Sequence, residues 1–262
     1  MSLNFFGLGS KVPSHFYNRK TFRRIQKKLG HRFKQLELLA EALSHRSYTQ
    51  TEPRAPFPSY ERLEFLGDSV LGMIIAEELF KRFEPMEEGE LTTTKAHLVN
   101  VHTLARISRE IELNRYVRLS REEELAGGRE RNSIIADCLE AVIGAIYLDG
   151  GIRSVRRFIS SHFLAHMEEI LNDQSLRNYK GELLERTQAD AAISPRYEIL
   201  KAEGPDHRKK FTVGVFVNGH RLGTGSGMSK KEAEQHAARK GLRKLEKLVN
   251  EQKDFYDRLE EM

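Results

Sequence analysis

Three carboxylates stand in the string Glu61-Arg-Leu-Glu64-Phe-Leu-Gly-Asp68-Ser. At about 100° per residue, these positions fall within about 60° of one helix face. Leu63, Leu66 and Val70 fall on another face. Like charges stacked on one face destabilise a helix by a few tenths of a kcal/mol per pair, roughly. A hard divalent cation with oxygen ligands would offset that repulsion. A second pair, Asp137 and Glu140, lies three residues apart among Ile134, Ile135, Leu139, Val142 and Ile143. Carboxylates in so apolar a helix are the more informative pair, because a buried charge is costly unless compensated. Packed face to face, the two helices would gather four acids into a metal site suited to phosphodiester hydrolysis. There, ions activate water and stabilise the leaving oxygen. Glu88 is a further candidate acid. The spacing also permits a blander arrangement, with the acids facing solvent or paired to Arg62, Arg129 or Arg131.

A different chemistry is written near the other end. Ser229 is a suitable N-cap for a helix that opens with Lys230 and Lys231. A helix N-terminus already attracts phosphate, and two lysines strengthen that attraction. The turn at Gly204-Pro205-Asp206-His207 is followed by Arg208, Lys209 and Lys210, and an upstream helix offers Glu185 and Gln188. Gly223-Thr-Gly-Ser-Gly227 lacks the Gly-Lys-Ser/Thr ending of a nucleotide loop, and it reads as a strand end and turn.

The elements that must position these residues follow from periodicity. Phe22, Ile25 and Leu29, then Leu36, Leu38, Leu39 and Leu43, predict two helices divided by Gly30. Pro53, Pro56 and Pro58 mark a loop, with Ser59 as N-cap of a long helix over 60–83. Further helices are expected over 91–111, from Asn132 or Ser133 to Leu148, and over 152–171, the last two separated by Gly150-Gly151. By pattern alone, Phe65 belongs to the core. Beyond the polar stretch 172–178 the grammar changes to a helix over 180–189, three strands over 197–201, 210–218 and 221–226, and a helix over 230–249. Asn218-Gly219 signals a type I′ hairpin.

Charge divides along the same lines. Residues 1–35 hold nine Lys or Arg and no Asp or Glu, 36–174 hold 16 basic and 24 acidic residues, and 175–250 hold 16 and nine. The basic blocks suggest a polyanionic partner, although charge also serves solubility. Hydrophobic residues make up 39% of the 262, enough for a core, and no apolar run is long enough to span a membrane. A single cysteine, Cys138, excludes an intramolecular disulfide and argues against a cysteine zinc site. Cytoplasmic residence is expected, and the basic, acid-free start is also compatible with a transit segment. His45 and His97 read as packing or capping residues, since no metal-type His spacing occurs.

The nine residues Glu61 to Ser69, with His45-Arg-Ser-Tyr48, Glu88-Gly89 and Ser133 to Ala141 in order, resemble the ribonuclease III family. The resemblance runs over about 20–248. It implies a multidomain chain: an all-α endonuclease domain over 20–171, a linker over 172–178, and a small α+β double-stranded-RNA-binding domain over 179–248. A basic extension, 1–19, precedes these, and an acidic tail, 249–262, follows. The resemblance also implies metal ligands at Glu64, Asp68, Asp137 and Glu140, with Asp68 and Glu140 catalytic and Glu61 and Glu88 supporting. Phe65 is implied to pack into a partner subunit of a homodimer. Glu185, Gln188, His207, Lys230 and Lys231 are implied as RNA contacts. The expected ion is Mg²⁺, replaceable by Mn²⁺, with no organic cofactor and no membrane. The expected products are 5′-phosphate and 3′-hydroxyl ends, with ribosomal RNA precursors among the substrates. The sequence departs from the family at Leu184, where Gln or Thr is common, which puts one minor-groove contact in doubt, and at Gly181, where Thr is commoner. Two other classes compete: a non-catalytic double-stranded-RNA binder, which needs no acids, and a helical phosphohydrolase of small esters.

Overall fold

The computed structural model describes residues 18–52, 57–173, 175, 177–191, 194–204 and 209–250. The chain divides into two compact units between residues 176 and 177.

The first unit is helical. Helix α1 (Arg19–Leu29) opens with Asn18 Oδ1 accepting from the Lys20 and Thr21 amides and closes on Gly30 in the left-handed region (φ 61°). Helices α2 (Leu36–Ala42) and α3 (Arg46–Thr51) follow. Helix α3 was not expected. His45 caps it, its Nδ1 accepting from the Ser47 amide, and burial pulls the His45 imidazole below its ordinary range. Helix α4 spans Glu61–Arg82. Its N-cap is Tyr60 rather than Ser59, whose hydroxyl instead donates to Glu61 at 3.1 Å.

The segment 91–111 is two helices, not one: α5 (Glu88–Leu98) and α6 (Val101–Glu110). Asn100 breaks the run because its side chain accepts from the His102 and Thr103 amides, offering the backbone a cap in place of a continued helix. A short α7 (Arg121–Leu125) precedes α8 (Asn132–His162). The expected stop at Gly150-Gly151 is a kink: only Gly151 (φ 70°, ψ −178°) leaves helical geometry, and the helix resumes. It ends at His162 rather than continuing to 171. A 3₁₀ turn (Leu164–His166) and α9 (Met167–Asn172) complete the unit.

Helices α4 and α8 form the central pair of one apolar core, in which Leu71, Ile75, Leu139, Val142 and Ile143 are fully buried. The approach is close because glycine faces backbone. A Cβ on Gly67 would lie 1.8 Å from the Glu140 carbonyl oxygen, and one on Gly144 would lie 2.3 Å from that of Leu63.

The second unit has the order α10 (Tyr179–Ala191), β1 (Arg196–Glu203), β2 (Lys210–Val217), β3 (His220–Gly227), α11 (Lys230–Asn250). The three strands form one antiparallel sheet in the order β1-β2-β3, with a register shift at Ile199/Lys201. Asn218 and Gly219 both have positive φ (49° and 81°), as a type I′ hairpin requires. Val215, Val217 and Leu222 pack under α10 and α11 with Leu183 and Ala237. The stretch Gly223–Gly227 lies wholly in β3, not in a turn. Its glycines let α11 sit on the sheet, since a Cβ on Gly225 would be 2.2 Å from the Ala237 amide. The chain therefore has an all-α unit followed by an α-β-β-β-α unit. The N-terminal extension over 1–17 and the tail over 251–262 lie outside the described residues.

Candidate active site and RNA-binding surface

The α4–α8 contact brings the acids together. Carboxylate oxygens of Glu64, Asp137 and Glu140 all lie within 4.8 Å of one another, each side chain half-buried. Asp68 stands outside this trio and is exposed, one turn along α4 from Glu64. Its charge nevertheless reaches them: burial first, then Asp68, Asp137 and Glu64, push the Glu140 carboxyl up to about 8. Burial, then Asp137, Glu61 and Asp68, raise Glu64 to about 6, and burial raises Asp137.

No basic side chain neutralises these four acids among the described residues. Arg129 binds Glu124 and the Asn114 and Val117 carbonyls, and Arg131 pairs with Glu123 at 2.8 Å. The arginine-paired alternative is thereby removed for Arg129 and Arg131. Arg62 acts on Glu41 instead, a buried carboxyl of α2 that desolvation raises to about 7. Uncompensated carboxylates held this close are an oxygen donor set of the kind hard divalent cations take.

The remaining acids are less convergent. Glu61 is exposed, 3.9 Å from Arg46. Glu88 is exposed in the first turn of α5 and accepts from Thr92 Oγ1 at 3.0 Å. Cys138, between the acids of α8, is fully buried and donates to the Ala42 carbonyl at 3.3 Å. It has no chemistry to offer.

Phe65 is not core. It is 78% exposed, and Met73 and Phe80 share its side of α4, also exposed. The three form an apolar stripe at helical spacing on the solvent side. Sequence periodicity could not separate this stripe from a buried one, because both obey the same repeat.

In the second unit, Glu185 and Gln188 are exposed on α10, opposite the buried Leu183 and Thr187. Leu184 beside them is exposed too. Gly181 sits over the cap of this helix: an added Cβ would lie 2.7 Å from Asn178 Nδ2, so a bulkier residue would press on the cap. Ser229 Oγ accepts from the Glu232 amide and caps α11, and Glu232 reaches back to the Met228 amide. Lys230 and Lys231 are exposed in its first turn, with Lys230 Nζ 5.9 Å from the Phe211 ring centre. His207 lies outside the described residues.

Two family models match the chain. Residues 35–167 match a ribonuclease-III-like domain, and residues 179–245 match the double-stranded RNA binding motif. A protein named Ribonuclease 3 from Clostridium botulinum is 45% identical over 230 residues, covering 88% of this chain and 98% of its own. The chain belongs to the ribonuclease III family. A Ribonuclease 3 from Clostridium tetani is 44% identical over 85% of this chain and 94% of its own. The solved nuclease domain of ribonuclease III from Campylobacter jejuni superposes with a TM-score of 0.51 at 35% identity, covering 59% of this chain and 98% of that domain. A second structure of that domain (TM-score 0.50, 37% identity, 55% of this chain, 99% of that one) is described for flexibility in a region involved in dimer formation. Within this ribonuclease III family member, the half-buried acids lie in the first matched region and the exposed lysines of α11 in the second. No helix among the described residues is long and apolar enough to cross a membrane.

Proposed function

We propose that this ribonuclease III family member is a metal-dependent endoribonuclease that hydrolyses phosphodiester bonds in double-stranded RNA. The observation that carries the reading is the unneutralised cluster of Glu64, Asp137 and Glu140, built from two helices whose contact glycine makes possible. Glu64, Asp68, Asp137 and Glu140 would hold Mg²⁺, or Mn²⁺ in its place, with Asp68 and Glu140 as the catalytic acids. A divalent ion bound by such acids supplies an activated water and charge stabilisation at the leaving oxygen. The elevated carboxyls of Glu140 and Glu64 fit this role, since each gives up its proton when a cation takes its place.

Glu61 and Glu88 support the site from its rim. Glu185, Gln188, His207, Lys230 and Lys231 contact RNA, reading A-form shape and phosphate rather than base sequence. A homodimer formed through the exposed stripe at Phe65 sets two acidic sites across one duplex, one for each strand. Residues 20–171 are the catalytic domain, 172–178 the linker and 179–248 the RNA-binding domain. Products carry 5′-phosphate and 3′-hydroxyl ends. Structured transcripts in the cytoplasm, ribosomal RNA precursors among them, are the substrates.

The test is a cleavage assay. An RNA duplex of about 40 base pairs, the matched single strand and a DNA duplex are incubated with Mg²⁺, with Ca²⁺ or with chelator. Mg²⁺-dependent cutting of the RNA duplex alone, with 5′-phosphate products, is expected. Tight binding with no cutting under any metal would replace this reading with a sequestering binder.

A further inference from the structure

Helix α1 and the loop after it enclose a shallow groove of about 1030 Å³, away from the acids. Five basic residues line it (Lys20, Arg23, Lys27, Arg32 and Lys34), and no carboxylate does. All five are exposed, and none has an ion-pair partner among the described residues. Many cations elsewhere in this unit are paired, although Lys95, Arg121, Arg153 and Arg157 are not among the described residues; what distinguishes the five is their gathering on one surface. Lys28, Arg82, Arg106, Arg129, Arg131 and Arg156 all pair with carboxylates. Within 36–174 acids outnumber bases 24 to 16, so carboxylate partners are plentiful. Like charges at i and i+4, such as Arg23 and Lys27, oppose helix formation. Their concentration on one open surface is therefore a feature that an anionic occupant would offset.

The groove is built rather than draped. Gln26 bridges its two walls, accepting from the Phe33 amide at 2.8 Å while donating to the Phe22 carbonyl at 3.0 Å. Buried Asp149 on α8 fixes the loop from beneath. It accepts from the amides of Lys34 and Gln35, each at 2.9 Å, and lies 2.8 Å from His31 Nε2. The other end is tied towards the start of α4: the Arg118 guanidinium lies 5.7 Å from the Phe22 ring centre and 5.1 Å from that of Phe57. The backbone that carries the cations is thus anchored to α8 and, through Arg118, to Phe57 just ahead of α4. Asp149 is nine residues beyond Glu140, about 14 Å along α8 and on its opposite side. Phosphates that reach the groove are therefore not the scissile ones.

We propose that this groove is an accessory binding surface for the sugar-phosphate backbone of duplex RNA, lying outside the active site and read without regard to sequence. The proposal rests on the double-stranded-RNA reading above. Phosphate could also reach the groove as a small free polyphosphate, which the test separates.

The full-length protein and the variant Arg23→Ala/Lys27→Ala/Arg32→Gln are compared for binding to a duplex of about 40 base pairs in chelator, over a range of salt. Loss of about two phosphate contacts weakens binding about tenfold at low salt and flattens the log K against log salt slope by roughly two. In Mg²⁺, KM rises and kcat holds, because the contact is equal in ground and transition states. The double variant Lys81→Ala/Arg82→Ala, which removes exposed but paired cations, leaves affinity unchanged. Equal affinity and slope in the folded triple variant would overturn the proposal. Should that variant fail to melt cooperatively, Lys20→Gln/Lys34→Gln takes its place under the same criteria. If inorganic triphosphate raises the melting temperature of the parent but not of the variant while RNA affinity is unchanged, the occupant is a small anion and the RNA surface is wrong. A parent protein that neither binds nor cuts duplex RNA removes the underlying function instead.

Discussion

The Cα of Gly67 on α4 abuts the main-chain carbonyl of Glu140 on α8, so that a Cβ at Gly67 would sit 1.8 Å from that oxygen. The contact is reciprocal, with Gly144 against the Leu63 carbonyl. One pair of glycines thus sets the helix separation, and the separation sets the distance between Glu64 and the acids of α8. Gly67→Ala must push the helices apart, at a cost of at least about 1–3 kcal/mol. It is expected to lower the melting temperature and cut the cleavage rate at least 100-fold. Scanning calorimetry and single-turnover cleavage check this, and wild-type cutting by a folded Gly67→Ala protein would contradict it.

Glu140 combines a proposed catalytic role with an electrostatic burden on the metal-free fold. Its carboxyl is elevated to about 8 by burial and by three neighbouring acids. Glu140→Gln removes the charge and keeps the shape. The variant should still shift duplex RNA in a gel and should cut it at least 100-fold more slowly. At pH 9 without metal it should melt above the parent. Lower metal-free stability at pH 9 would show that Glu140 makes a favourable contact as an anion.

The same elevation gives the pH dependence a definite sign. Glu64, Glu140 and Glu41 bind protons more tightly folded than unfolded, with carboxyls near 6, 8 and 7 against an ordinary 4.5. Above pH 4.5 the unfolded chain loses these protons first, so their effect on stability declines as pH rises towards 8. At the proposed site Mg²⁺ would replace the protons on Glu64 and Glu140 but not the one on Glu41. Stabilisation by Mg²⁺ should therefore be slight at pH 5 and rise through pH 8. Thermal melts with and without Mg²⁺ across this range test it, and a metal effect independent of pH would count against ligation by these carboxyls.

Phe65 leaves 78% of its surface in solvent, in line with exposed Met73 and Phe80. Phe65→Asp should not lower the stability of the single subunit. It should convert the proposed dimer to a monomer in analytical ultracentrifugation and reduce double-strand cutting about tenfold or more. An unchanged sedimentation coefficient would place the subunit contact elsewhere.

Asp149 is a structural acid in the same helix as two proposed ligands. It holds the amides of Lys34 and Gln35 and the His31 ring. Asp149→Ala leaves these part-buried donors to water and Asp149's buried site empty, at up to about 1–3 kcal/mol in all. The expected result is a drop of several degrees in melting temperature, measured by calorimetry, with Asp149→Asn intermediate. No change in either variant would mean that water replaces the carboxylate.

The sequence alone carried a great deal of this protein. The polar stretch 172–178 marks the change from the all-α unit to the α-β-β-β-α unit, and the switch from 3.6-residue periodicity to strand patterning near residue 196 marks the sheet within the second, because local geometry dictates which faces bury. The spacing of Glu61, Glu64 and Asp68, and the apolar setting of Asp137 and Glu140, marked the acids as unusual before any contact was known. What spacing could not show is which acids meet. Convergence of Glu64 with Asp137 and Glu140, and the outer place of Asp68, depend on backbone approach at Gly67 and Gly144, some 75 residues apart. Phe65 read as core because a helix repeat does not say which of its faces finds a partner; within one chain the stripe finds none. The split of 91–111 at Asn100 turned on a side-chain cap that competes with the backbone ladder. The unpaired cations of α1 were visible in the sequence as charge. Their gathering into one groove was decided by Asp149, 115 residues away from Lys34. Local patterns fix elements and their faces, whereas the pairing of faces is a property of the packed core.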